Sequence, residues 1–91
     1  MNLEIITRRQ VIYSGEVEAL VLPAVQGEMG VLAGHADFIV MLKKGDVRLI
    51  GGGESRAIAI DGGFAEVSRD RVTVLPDSVS TTKVAPGEGG R

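Results

Sequence analysis

The two longest segments free of both glycine and proline are residues 1–14 and 64–75, and each is crowded with β-branched side chains. Branching at Cβ restricts χ1 and costs a helix freedom, whereas a pleated strand accommodates it. Both segments therefore read as strand pairs, and helices are disfavoured nearly everywhere else. Val, Ile and Thr make up 23 of the 91 residues and Gly another 13, the profile of strands punctuated by tight turns. Apolar stretches recur at residues 3–6, 11–13, 17–22, 31–32, 39–42, 47–50, 57–60, 64–67 and 72–75. A spacing of about 8 to 12 residues suits an all-β sandwich or barrel. Lys44-Gly45-Asp46, Gly51-Gly52-Gly53, Asp61-Gly62-Gly63 and Arg69-Asp70-Arg71 read as the turns of a hairpin meander. Alternation places Val47 and Leu49 opposite Arg48, and Ile58 and Ile60 opposite Ala57 and Ala59. After Pro76 the pattern stops, so the expected organisation is one β domain over residues 1–78 and a flexible tail over 79–91.

Composition removes several function classes. A net charge of -2 and three aromatic residues do not suit phosphate neutralisation or base stacking, so no nucleic-acid partner is expected. No apolar run approaches the about 18 residues that span a bilayer. With no cysteine and a single histidine, His35, neither a thiolate nor a multi-histidine metal site can be assembled. Gly51-Gly52-Gly53 is followed by no Gly-Lys-Ser/Thr and reads as a hairpin turn, not a phosphate cradle. Glu16, Glu18 and Glu66 fall on solvated faces of alternating strands, a poor acid/base pair. No catalytic, cofactor or metal site is therefore predicted. An alternative is a swinging-arm carrier of the lipoyl or biotinyl kind, modified on a hairpin lysine, Lys43 or Lys44. The residues flanking those lysines do not match an acceptor site of such carriers.

The informative stretch is Gly27-Glu28-Met29-Gly30-Val31-Leu32-Ala33-Gly34-His35-Ala36. Its three closely spaced leading glycines point to a compact, non-helical loop that packs on its own sandwich or presents Glu28 and Met29 to a partner. The decapeptide resembles the G-E-x-G-[IV]-[LY]-P-G-H-A signature of the epsilon subunit of rotary (F-type) ATP synthases. Residues 3–7, 13–17, 42–48, 61–67 and 72–75 are similar, in order, to successive strand and turn blocks of that family's N-terminal domain.

The resemblance, which covers about residues 2–78, implies a flattened β-sandwich of two five-stranded sheets, in line with the nine apolar stretches above, so the expected fold is an all-β two-sheet sandwich of about nine or ten short strands. It also implies a non-catalytic central-stalk rotor subunit that joins gamma to the c-ring and couples proton or sodium flow to ATP synthesis. Position by position, Glu28 and Met29 would meet the polar loops of the c-ring, while Thr7, His35 and Val40 would lie toward gamma. No cofactor is implied, and membrane attachment would be indirect. Two family prolines are Ala33 and Asp37 here, which frees two φ angles. The C-terminal helical pair common in the family has no counterpart in the glycine-rich end, so an inhibitory or nucleotide-sensing role is not expected of this polypeptide. Met1 directly before the first strand reads as leaving no transit peptide, which favours a bacterial or plastid-encoded protein, and the expected location is the inner, cytoplasmic face of a bacterial plasma membrane.

Overall fold

In the computed structural model, which describes residues 1–34 and 37–83, the β-branched segments become strands separated by polar or glycine turns. The order is β1 (Asn2–Ile6), β2 (Val11–Glu16), β3 (Ala19–Ala24), β4 (Gly27–Leu32), β5 (Phe38–Gly51), β6 (Glu54–Val67), β7 (Arg71–Pro76) and β8 (Val79–Lys83). No helix occurs among the described residues. Turns form as expected at Gly52-Gly53 and Arg69-Asp70. Lys44-Gly45-Asp46 and Asp61-Gly62-Gly63, by contrast, are not turns, because β5 and β6 run through them for 14 residues each.

Register explains how eight strands make two layers. The first half of β5 pairs with the second half of β6, from Phe38↔Val67 to Leu42↔Gly63, and β7, β1 and β2 continue that layer. The second half of β5 pairs with the first half of β6, from Gly45↔Ile60 to Gly51↔Glu54, with β3 and β4 on one side and β8 on the other. Each long strand serves both layers, so one continuous hydrogen-bonded sheet folds into a sandwich of five strands against five. The inward face changes phase at the crossing. Leu42 is buried before it and Val47 and Leu49 after it, while on β6 the buried set passes from Ile58 and Ile60 to Ala65 and Val67.

Glycine permits one of these crossings. Gly63 has φ +119°, and a Cβ there would press on the Leu75 carbonyl oxygen and lie 2.6 Å from the Pro76 Cα. Between the layers sits one apolar cluster, with Leu3, Ile5, Val72 and Val74 from the first meeting Leu20, Leu22, Val47 and Ile60 from the second, all fully buried. Burying one such leucine or isoleucine is worth about 1.5 to 3 kcal/mol.

Residues 79–83, expected to belong to a flexible tail, are strand. They form β8 on the edge of β6, with Ala57↔Lys83 and Ile58↔Thr82, and Val79 packs on the core. Apolar alternation gives no sign of this strand, because pairing with a free edge is made by the backbone. The rest of the expected tail, residues 84–91, lies outside the described residues.

Candidate functional site

The first six residues of the signature stretch are strand, not loop. Gly27-Glu28-Met29-Gly30-Val31-Leu32 is β4, the edge of the second layer, joined to β3 by the two-residue Val25-Gln26 turn. Val31 lies opposite Leu20 and is buried, which settles where this part of the segment packs. The backbone N–H of Gly34 donates to the Arg69 carbonyl at 2.8 Å, tying the end of the segment to the turn before β7. His35 and Ala36 lie outside the described residues.

Strand alternation splits the Glu28 and Met29 pair. Glu28 faces solvent, where its Oε1 accepts a hydrogen bond from Arg48 Nη2 at 3.3 Å across β3. Met29 lies opposite Leu22 and packs against the core. A similar split affects the residues carried toward gamma. Thr7 Oγ1 accepts from the backbone N–H of Arg9 and Gln10 and donates to the Gln10 carbonyl, closing the turn between β1 and β2. Val40 is half-buried on the core side of β5, whereas its neighbours Ile39 and Met41 are 65% and 60% exposed. Thr7 and Val40 are not brought together, since the strand order β1-β7-β6-β5 puts three inter-strand spacings, about 14 Å, between their strands.

The exposure of Ile39 and Met41 is hidden in the sequence. Phe38-Ile39-Val40-Met41-Leu42 is apolar throughout, so period-two reasoning cannot tell which side faces out. Only the register to β6 assigns it.

The remaining candidates disperse. Glu16 and Glu18 share an open cleft of about 640 Å³ with Met1, Tyr13, Glu54 and Arg56, where the Arg56 guanidinium lies 5.9 Å from the centre of the Tyr13 ring. Glu66 lies elsewhere, on the outer side of the first layer. Lys43 and Lys44 are exposed but sit inside β5, not at a hairpin tip, which removes the geometry a swinging-arm carrier needs. Among the described residues no three His, Cys, Asp or Glu side chains converge to hold a metal ion. No helix among them is long and apolar enough to cross a membrane. What this arrangement offers a partner is surface: an ion-paired edge at β4 and exposed apolar side chains on β5.

Comparison with known proteins gives a consistent result. The family described as the β-sandwich domain of the ATP synthase delta/epsilon chain matches residues 1–82. The ATP synthase epsilon chain of Helicobacter pylori (strain HPAG1) is 39% identical over 77 residues, covering 85% of this chain and 63% of that one. The epsilon chain of Desulforamulus reducens is 40% identical over 77 residues, covering 85% and 58%. The chain thus spans about three fifths of the length of the curated relatives it matches. A chain of the Euglena gracilis mitochondrial ATP synthase, in a cryo-EM structure of its OSCP/F1/c-ring assembly, superimposes with a TM-score of 0.79 at 29% identity, covering 92% of this chain and 51% of that one. A chain of the central stalk/c-ring structure from Tetrahymena thermophila gives a TM-score of 0.73 at 9% identity, covering 86% and 63%, a likeness of fold alone.

Proposed function

The chain belongs to the delta/epsilon β-sandwich family of ATP synthase, and on that premise we propose that it is a non-catalytic rotor subunit of the central stalk. In this reading it joins the gamma subunit to the c-ring and couples proton or sodium flow to ATP synthesis. The observation that carries it is the family match over residues 1–82, which takes in every strand of the sandwich but the last residue of β8.

The work asked of such a part is to transmit torque without deforming. A close-packed interior has low compressibility, and the two long strands that serve both layers bind them into one hydrogen-bonded unit. Toward the c-ring, Glu28 would meet basic loop side chains, a reading supported by its exposure on β4, where it pairs with the equally accessible Arg48. Met29 would support that contact from behind, from the core side of β4. Toward gamma, the reading takes the stretches that carry Thr7, His35 and Val40 as contact candidates, with the outward neighbours of Val40, Ile39 and Met41, offering the apolar surface because Val40 itself is turned to the core. Exposed ion pairs are worth about 0 to 1 kcal/mol, so affinity must come mainly from apolar contact and shape, with charge setting register. The complex would hold the chain at the cytoplasmic face of a bacterial plasma membrane without inserting it.

Capture experiments with purified gamma and detergent-solubilised c-ring test this directly. The chain is expected to retain gamma stoichiometrically and to hydrolyse no ATP by itself. A well-folded chain that retains neither gamma nor the c-ring would remove the proposal.

A further inference from the structure

Asp61-Gly62 is the one place in the chain where Asp or Asn is followed by Gly. In an unrestrained chain that pair is covalently unstable, because glycine has no Cβ to shield its nitrogen from the preceding side chain. The Gly62 nitrogen attacks the uncharged Asp61 carboxyl carbon, an N–Cγ bond forms, and the hydroxyl leaves with the amide hydrogen as water. Water then opens the resulting succinimide at either carbonyl. Cleavage of the N–Cγ bond restores aspartate. Cleavage between the nitrogen and the main-chain carbonyl carbon leaves isoaspartate, whose backbone runs through the former side chain. Mass and charge are unchanged, but the main chain is longer by a carbon.

The fold puts this pair at the layer crossing and clasps it there. The register of β5 to β6 passes from Leu42↔Gly63 to Lys44↔Asp61 and skips Lys43 and Gly62. Residues 77 and 78, which carry the chain from β7 to β8, supply the restraint instead. The Asp61 N–H donates to the Ser78 carbonyl at 2.9 Å, and the Asp77 N–H donates to the Gly62 carbonyl at 3.1 Å. The Ser78 hydroxyl donates to Asp61 Oδ2 at 3.4 Å. Ring closure must rotate the Asp61-Gly62 peptide about the Asp61 Cα–C bond and bring the carboxyl over the Gly62 nitrogen. The clasp ties down both sides of that rotation and the carboxyl as well. Asp61, Asp77 and Ser78 are all exposed, so the clasp opens at lower cost than the core, and water reaches the ring once it forms.

We propose that Asp61-Gly62 is a modification site gated by residues 77 and 78, at which opening of that clasp is recorded as isoaspartate. The record is permanent because of the next residue. Gly63 fits so closely against the Leu75 carbonyl oxygen and the Pro76 Cα that even a Cβ has no room. A main chain lengthened just before it cannot restore that fit, so the modified chain does not re-form the crossing. A transient local opening thus becomes a lasting loss of the joint between the layers.

The test ages the whole chain at neutral pH, in buffer and in urea, and locates isoaspartate by electron-transfer fragmentation of its peptides. Position 61 is expected to be the main site in urea and to react about tenfold or more slowly in the folded chain. Asp61→Asn closes the same ring with loss of ammonia, and its deamidation, read as a mass change, should show the same protection. In the unaltered chain the slowing should match, within about threefold, the protection of the Asp77 amide against hydrogen exchange, a comparison that needs no variant. A chain ending after Pro76 loses the clasp, whereas one ending after Ser78 keeps its backbone bonds and loses only β8. While still folded by circular dichroism, the first should react about tenfold faster than the second. Chain carrying isoaspartate at position 61 should melt below the parent. Equal rates in buffer and urea would overturn the proposal, as would slowing that follows the core amide of Val74 instead of Asp77. So would a folded chain ending after Pro76 that reacts no faster, or modified chain that melts with the parent.

Discussion

Replacing Gly63 by alanine probes the point at which β6 passes between layers. The backbone there has φ +119°, and the added Cβ would press on the Leu75 carbonyl oxygen, with the Pro76 Cα at 2.6 Å and the Asp77 nitrogen at 2.9 Å. All three are backbone atoms of β7 and its exit, so none can swing aside. Holding a non-glycine residue in such a conformation costs of order 1 to 3 kcal/mol, and forcing an atom into a packed site adds about 1 to 3 kcal/mol. Gly53→Ala separates the two costs, because Gly53 has φ +78° but nothing within 4 Å of the added carbon. Backbone strain alone should make that variant about 1 kcal/mol less stable, against about 4 kcal/mol for Gly63→Ala. A chain of this size has about 5 to 13 kcal/mol of stability in all. The corresponding falls in Tm are about 4 to 8 °C for Gly53→Ala and about 15 to 30 °C for Gly63→Ala. Urea unfolding followed by circular dichroism in the strand band measures both, with unchanged m values expected. Equal losses for the two variants would show that β7 does not press on Gly63, and the account of the layer crossing would be wrong.

Other outcomes follow from the same coordinates. Leu22→Ala removes a fully buried side chain and should cost about 2 to 5 kcal/mol in urea unfolding. Val40→Asp should lower stability by more than 2 kcal/mol or so, since it buries a charge on the core side, while Met41→Asp should stay within about 0.5 kcal/mol of the parent. A double-mutant cycle on Glu28 and Arg48 should give a coupling of about 0.2 to 1 kcal/mol that fades with added salt, because both side chains are at least half exposed. Glu28→Lys should weaken coupling in the assembled complex while lowering stability by no more than about 1 kcal/mol, the loss of its exposed pair with Arg48. Ending the chain after Ser78 removes β8 and should lower Tm relative to a chain ending after Lys83, as seen in thermal melts.

Fold class and core were legible wherever polar residues interrupt the apolar ones. Arg48 between Val47 and Leu49 and the alternation of Ala57, Ile58, Ala59 and Ile60 identify the buried side before any coordinates, and Leu49 and Ile58 are indeed only 3% exposed. Legibility failed where one chemical signal has two geometric meanings. Glycine beside a charged residue marks a turn at Gly52-Gly53 but a layer crossing at Gly45 and Gly62-Gly63, and only the pairing of 14 residues on β5 with those on β6 distinguishes them. The uniformly apolar residues 38–42 concealed which side faces out, so Val40 was expected at a surface that Ile39 and Met41 occupy. β8 escaped because a strand held by backbone pairing to an edge needs no apolar period. Within the signature segment, glycine spacing pointed to a loop, yet Gly30 sits in regular strand with open space beside it.

The central claim is that this stiff sandwich acts by what it touches and carries out no chemistry of its own. ATP-driven ion pumping by membranes stripped of this chain, measured before and after adding it back, tests that claim most directly. Restored pumping per ATP hydrolysed, with no ATP turnover by the isolated chain, is the predicted result; pumping that is complete without it, or hydrolysis by the chain alone, would contradict the account.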